Sequence, residues 1–241
     1  MQTQPRQSRE PQAGITLTEL LITMIIMTIV STMLVGCLIS LQRSFAFTSS
    51  SNTARATARD ALDRISSEIR AAQPSPLPSP TSTAPSTPFY LAGTSPYVCD
   101  GYHCVFYSAY NNSAAADGTG AAQMRLTAIW LDTLAPGAQK TLYWQRDTNN
   151  NGAFDSGDRK VVLASNVVNS DASVNRPIFA YNVRDTSGNY PTPAPTSLTS
   201  ANVFTLVSVQ VEIIVDANLA HTPTHIDLRT TVQPRNQKST T

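Results

Sequence analysis

Residues 15–41, ITLTELLITMIIMTIVSTMLVGCLISL, form a run of 27 residues whose only ionisable side chains are Glu19 and Cys37. As a helix rising about 1.5 Å per residue, the run spans roughly 40 Å, enough to cross a bilayer. A secretory signal peptide has an apolar core of about 7–15 residues followed by a small-residue cleavage site. Neither condition fits, so the segment is expected to stay attached. Glu19 is the anomaly within it, because a carboxylate costs about 2.5–3.5 kcal/mol at the centre of a bilayer and somewhat less near an interface. A cut between Gly14 and Ile15 would place a positive amine one helical turn before Glu19, on the same face or within reach from a neighbouring helix. The buried charge would then have a partner.

The order Gly14, Ile15, Thr16, Leu17, Thr18, Glu19, Leu20, Leu21 resembles the prepilin peptidase site of type IV pilins and of type II secretion pseudopilins. The resemblance rests on a combination: a short polar leader ending in Gly, a hydrophobic first mature residue, Glu as the fifth mature residue and an unbroken apolar run. It implies cleavage after Gly14 on the cytoplasmic side, methylation at Ile15, and Glu19 aligning the subunit with its neighbour. The implied partners are prepilin peptidase/methyltransferase, an inner-membrane assembly platform, other pilin or pseudopilin subunits, and lipid before assembly. Many members have proline as the twenty-second mature residue, where this chain has Gly36, a point at which the helix could loosen. Arg6 and Arg9 precede the span while Arg43, Arg55 and Arg59 follow it, so topology rests on the cleavage motif and not on charge bias. The expected location is the cytoplasmic membrane, single-pass with the head outside, then a surface pilus or periplasmic pseudopilus.

Past the span, Leu41, Phe45, Ala58, Leu62, Ile65, Ile69 and Ala72 recur at helical intervals, with Arg59, Asp63, Arg64, Glu68 and Arg70 between them. One helix is expected from Ile15 to about Ala72, with a bend or fraying at Thr48–Asn52 possible and Pro74 ending it. Residues 74–88, PSPLPSPTSTAPSTP, read as an extended connector, and YPTPAPTSLTS at 190–200 as a surface excursion. Strand-like runs cover Val105–Tyr107, Met124–Leu131, Thr141–Trp144, Val161–Leu163, Ile178–Val183, Val203–Val215 and His225–Val232. In the sixth, Val207 to Val215 alternate with Ser208, Gln210, Glu212 and Ile214, as in a strand with one packed face. The expected organisation is a leader (1–14), an assembly helix (15–41), its amphipathic continuation (42–73), a linker (74–88), a β-rich head (89–235) and a tail (236–241). The fold class is α+β: a long N-terminal helix packed on an antiparallel sheet. Size and strand order resemble the larger minor pilins of the PilW or PulJ/GspJ-like group.

Two constellations stand out in the head. Residues 147–158, DTNNNGAFDSGD, put Asp147, Asn149, Asn151, Ala153 (by its carbonyl), Asp155 and Asp158 at the ligand positions of a calcium loop, with Gly152 at the sixth. An Asn-Gly-rich hairpin turn without metal is the alternative. Cys99 and Cys104 enclose only four residues, spacing that fits a disulfide in an oxidising exterior or two free thiols in a host that makes none. The leader's removal leaves 15 basic against 15 acidic side chains with no basic stripe, which argues against nucleic-acid binding. His103, His221 and His225 sit in no catalytic signature, so the expected chemistry is done to this protein and not by it. The expected role is a minor pilin-like subunit at a tip or in initiation. The alternatives are a type II secretion minor pseudopilin and a signal-anchored calcium-binding surface module.

Overall fold

The computed structural model describes residues 16–73, 87–91, 98–110, 124–149, 151–185, 187–190, 193–217 and 225–235. The expected leader and tail and nearly all of the linker lie outside them. Helix α1 runs Leu17–Arg70, unbroken through Gly36 and through the Ser/Thr/Asn stretch at 48–52. The hydroxyls there bond back to the helix: Thr48 Oγ1 donates to Ser44 O at 2.9 Å and Thr53 Oγ1 to Ser49 O at 3.0 Å. Competing side chains are thereby satisfied without breaking the ladder. The helix stops before any proline, because Ala72 bridges to Ser108 and Gln73 N donates to Tyr107 O at 3.0 Å. Strand pairing, and not proline, captures the chain.

Two compact units divide the chain, 1–48 and 49–241. In the first, every described side chain is exposed, Leu20, Ile25 and Met33 among them. In the second, Ala58, Ala61, Leu62, Ile65, Ile69 and Ala72 form the buried stripe that the helical period foretells. They share one core with Phe106, Ile129, Leu131, Trp144, Phe179, Val209, Val211 and Ile213.

That core rests on a seven-stranded antiparallel sheet: β1 (His103–Ser108), β2 (Arg125–Leu131), β3 (Lys140–Arg146), β4 (Arg159–Val167), β5 (Phe179–Val183), β6 (Leu206–Asp216) and β7 (His225–Val232). Together with α1 this is the expected α+β architecture. Val203–Thr205, expected as strand, is a short 3-10 turn leading into β6. The 190–200 excursion is tied down, since Tyr181 N donates to Pro195 O and Leu198 N to Cys99 O.

Strand β6 has β7 along one edge, while β5 and the end of β4 share the other. The gap between them is closed by a side chain. Asn169, fully buried, accepts from Ile214 N at 2.8 Å and donates to Glu212 O at 2.9 Å, reproducing a strand's pairing with one amide. Replacing Asn169 by Ala should cost about 2 kcal/mol, because two buried backbone groups lose their partner and an entering water restores only part. A fall in melting temperature of about 4–8 °C is expected. A melt unchanged from wild type would show that the amide bridge is dispensable.

Candidate functional site

Helix α1 opens at Thr16, whose Oγ1 accepts from Glu19 N at 3.4 Å, with Glu19 in the first turn. The spacing Thr16-x-x-Glu19 is that of a capping box, a start signal that the apolar run concealed in the sequence. A carboxylate in the first turn also sits favourably in the helix dipole. Gly14 and Ile15 lie outside the described residues. The exposed apolar surface that follows Glu19 has no cover among the described residues of its unit, and such a surface calls for lipid or other helices.

The loop 147–158 joins β3 to β4 and closes on its own donors. Asp147 is fully buried, its Oδ1 accepting from Asn151 N and its Oδ2 from Gly152 N at 2.8 Å. Asp158 Oδ1 accepts from Thr148 N and Oγ1, and its Oδ2 from Asp155 N at 2.9 Å. Asp155 Oδ2 accepts from the side-chain amides of Asn149 (2.7 Å) and Asn151 (3.2 Å). The Asn149 bond chiefly, with the Gly157 amide, holds the Asp155 carboxyl below the usual carboxylate range. Asn149 Oδ1 accepts from Asn151 N, and Asn151 Oδ1 from Ala153 N. Gly152 has φ +79°, the left-handed conformation its place in the turn requires. Arg125 ties the loop down through Asp147 O and Thr148 O, a contact that sequence reading missed because it spans some twenty residues.

The expected bends are therefore present. The loop's carboxylates are bonded to its own amides and backbone N–H groups. Among the described residues no group of three or more His, Cys, Asp or Glu side chains is placed to hold a metal, and Asn149 and Asn151 turn nitrogen toward Asp155.

The disulfide expected between Cys99 and Cys104 is absent; both are buried free thiols. The tight loop between them exists but is closed by Asp100, whose Oδ1 accepts from Tyr102 N (2.7 Å), His103 N (2.8 Å) and contacts His103 Nδ1 (2.7 Å). Cys99 Sγ meanwhile lies 3.2 Å from Val105 O. Burial, with Cys99 adding to it, pushes the Cys104 thiol well above its usual pKa, which suits a packed thiol and not a reactive one. Burial also works against the Asp100 carboxylate, but the bonds from His103 and Tyr102 outweigh it and hold the group low.

Residues 10–35 match the family model described as the prokaryotic N-terminal methylation motif, a stretch that takes in Gly14, Ile15 and Glu19. No curated protein matches the chain. That motif supports placement in the type IV pilin superfamily, membrane anchoring, and assembly with other subunits of this kind after the action of a prepilin peptidase. With the motif at its start, one long apolar helix and an antiparallel seven-stranded sheet, the chain has the make-up of a type IV pilin-like structural subunit and not of an enzyme.

Proposed function

We propose that the chain is a minor type IV pilin-like subunit, cleaved after Gly14, methylated at Ile15 and incorporated through α1 at the tip or in the initiation of a pilus or pseudopilus. The observation that carries this reading is the methylation motif followed by a helix whose apolar side chains are all exposed from Leu17 to residue 48, with Glu19 in its first turn. Helix-to-helix assembly draws further support from Thr28, Thr32, Gly36, Ser40, Ser44 and Thr48, small residues at every fourth position, which let backbones approach closely in a membrane. Size and strand order favour the PilW or PulJ/GspJ-like group, within which a type II secretion minor pseudopilin is the second reading. The test is the intact mass and N-terminal sequence of the membrane-extracted protein, from cells with and without prepilin peptidase. A chain starting at methylated Ile15 only when the peptidase is present is the expected result. A chain starting at Met1 in both, or cut beyond Leu41, would leave a signal-anchored or secreted module instead.

We also propose calcium as a structural ion of the 147–158 loop, held by Asp147, Asn149, Asn151, the carbonyl of Ala153, Asp155 and Asp158. The support is the residue pattern and the preformed bends; Asn149 and Asn151 would have to turn their oxygens inward to admit the ion. With a Kd of about 10⁻⁴–10⁻³ M, typical of extracellular sites, about 5 mM calcium should stabilise the head by roughly 1–2 kcal/mol and raise its melting temperature by about 2–8 °C over a chelator control. Asp155→Asn should abolish that rise, with a small loss in chelator from its bonds to Asn149 and Asn151. Equal melts with calcium and chelator in the unaltered chain would make this a metal-free hairpin turn.

A further inference from the structure

Where the second half of α1 meets β3 and β4, three guanidinium groups gather around one indole. Arg64 stands 4.5 Å from the centroid of the Trp144 ring, Arg146 5.0 Å and Arg159 6.0 Å. Tyr110 adds a second ring, 6.0 Å from Arg64. Arg146 and Arg159 are direct cross-strand partners, an arrangement in which like charges repel. One buried carboxylate, Glu68, answers this cluster, and its oxygens are committed to Arg146 at 2.7 and 2.9 Å, with Arg64 farther off at 3.5 Å. Burial lowers the pKa of Arg146, Arg64 and Arg125 pull it the same way, and Glu68 opposes them. Exposed Arg159 has no acidic partner among the described residues, and the Trp144 indole N–H, on a residue only 1% exposed, meets no acceptor among them. Stacking on Trp144 offsets part of the repulsion between these cations, and an incoming carboxylate would offset more of it.

We propose that this seam is a carboxylate-binding site, in which Arg159 and the accessible edge of Arg64, both stacked on the Trp144 indole, grip a carboxylate on their solvent side. Guanidinium groups match a planar carboxylate bidentately and stack on aromatic faces, which a lysine does not do. The Arg64 side chain is 33% exposed, so a ligand reaches it without unfolding the head. The carboxylate belongs either to a small free acid or to a Glu or Asp side chain on another protein's surface, and the chemistry of recognition is the same.

The test uses the full chain in detergent with Trp130→Phe, which leaves Trp144 as the one indole reporter. Citrate, and separately an end-blocked Ala-Glu-Ala peptide, are titrated against chloride of equal ionic strength. A saturable change in Trp144 emission is expected, with half-saturation about fivefold weaker in Arg159→Gln. Lys160→Gln should leave it unchanged, since Lys160 sits over Tyr143 at 3.9 Å and not over Trp144. Saturation by the peptide identifies a protein side chain as the ligand, and saturation by citrate alone a free acid. No saturable change with either probe, or an identical curve in Arg159→Gln, overturns the proposal.

Discussion

Glu68→Ala should destabilise the head by about 3–5 kcal/mol, the cost of leaving a buried charge without its partner. Glu68 is fully buried and accepts Arg146 Nη2 on both oxygens and Ser108 Oγ at 2.8 Å. It thereby joins the last turn of α1 to β1 and to the end of β3. Removing the carboxylate takes the counter-charge from a guanidinium that is itself almost fully covered, its side chain 9% exposed, while its bond to Tyr110 O remains. A fall in melting temperature of about 6–20 °C follows for a domain of this size. Glu68→Gln keeps the shape and a partner for Ser108, so its difference from Ala separates charge from packing. In the double variant with Arg146→Met, most of the loss should be recovered, because neither charge is then left alone. If Glu68→Ala melts within a degree or two of wild type, the pair does not hold the helix to the sheet.

This pair also shows where sequence reading stops. Ala58, Leu62, Ile65, Ile69 and Ala72 were legible because a buried helical stripe is written in local periodicity, and they are buried as expected. Glu68 reads as one more charge on the polar face, because its partner lies 78 residues away in a strand. The alternation in β6 likewise marks Val207, Val209, Val211, Ile213 and Val215 as core; the last four are buried and Val207 is half-buried. The pattern leaves Ser208, Glu212 and Ile214 to solvent, yet these are buried as well: Asn182 of β5 donates to Ser208 Oγ, and the segment carrying Asn169 and Arg176 reaches Glu212 and Ile214. Nothing local announces that cover. In the loop at 147–158 the Asn, Asp and Gly residues foretold the bends, which are matters of neighbouring backbone groups, but not which way each amide turns. Between Cys99 and Cys104 the spacing foretold a tight loop, and Asp100 closes it where sulfur was expected to. The cleavage motif is the opposite case. It matches a family model through consecutive residues, 10–35, so no tertiary contact was needed to recognise it.

The largest functional effect is expected at Glu19. Glu19→Ala should leave α1 intact, since Thr16 still caps it and only a favourable interaction with the helix dipole, about 0.3–1 kcal/mol, is lost. Residence in the membrane should be as good or better, because a carboxylate costly to lipid has gone. Cleavage after Gly14 should persist, because the peptidase would act at the bond before Ile15, four residues from the altered side chain. Incorporation into filaments is another matter. In the assembled bundle the Ile15 amine would remain buried without its counter-charge, a penalty of about 3 kcal/mol or more, which corresponds to a loss on the order of 100-fold. The measurement is the fraction of tagged chain recovered in sheared filaments, or cross-linked to neighbouring subunits, against the fraction left in the membrane, with the N-terminus of each pool read by mass spectrometry. A mature Ile15 terminus found almost wholly in the membrane pool is the outcome that charge pairing requires. Incorporation equal to wild type would mean that the amine finds another partner, and that Glu19 serves only to start the helix.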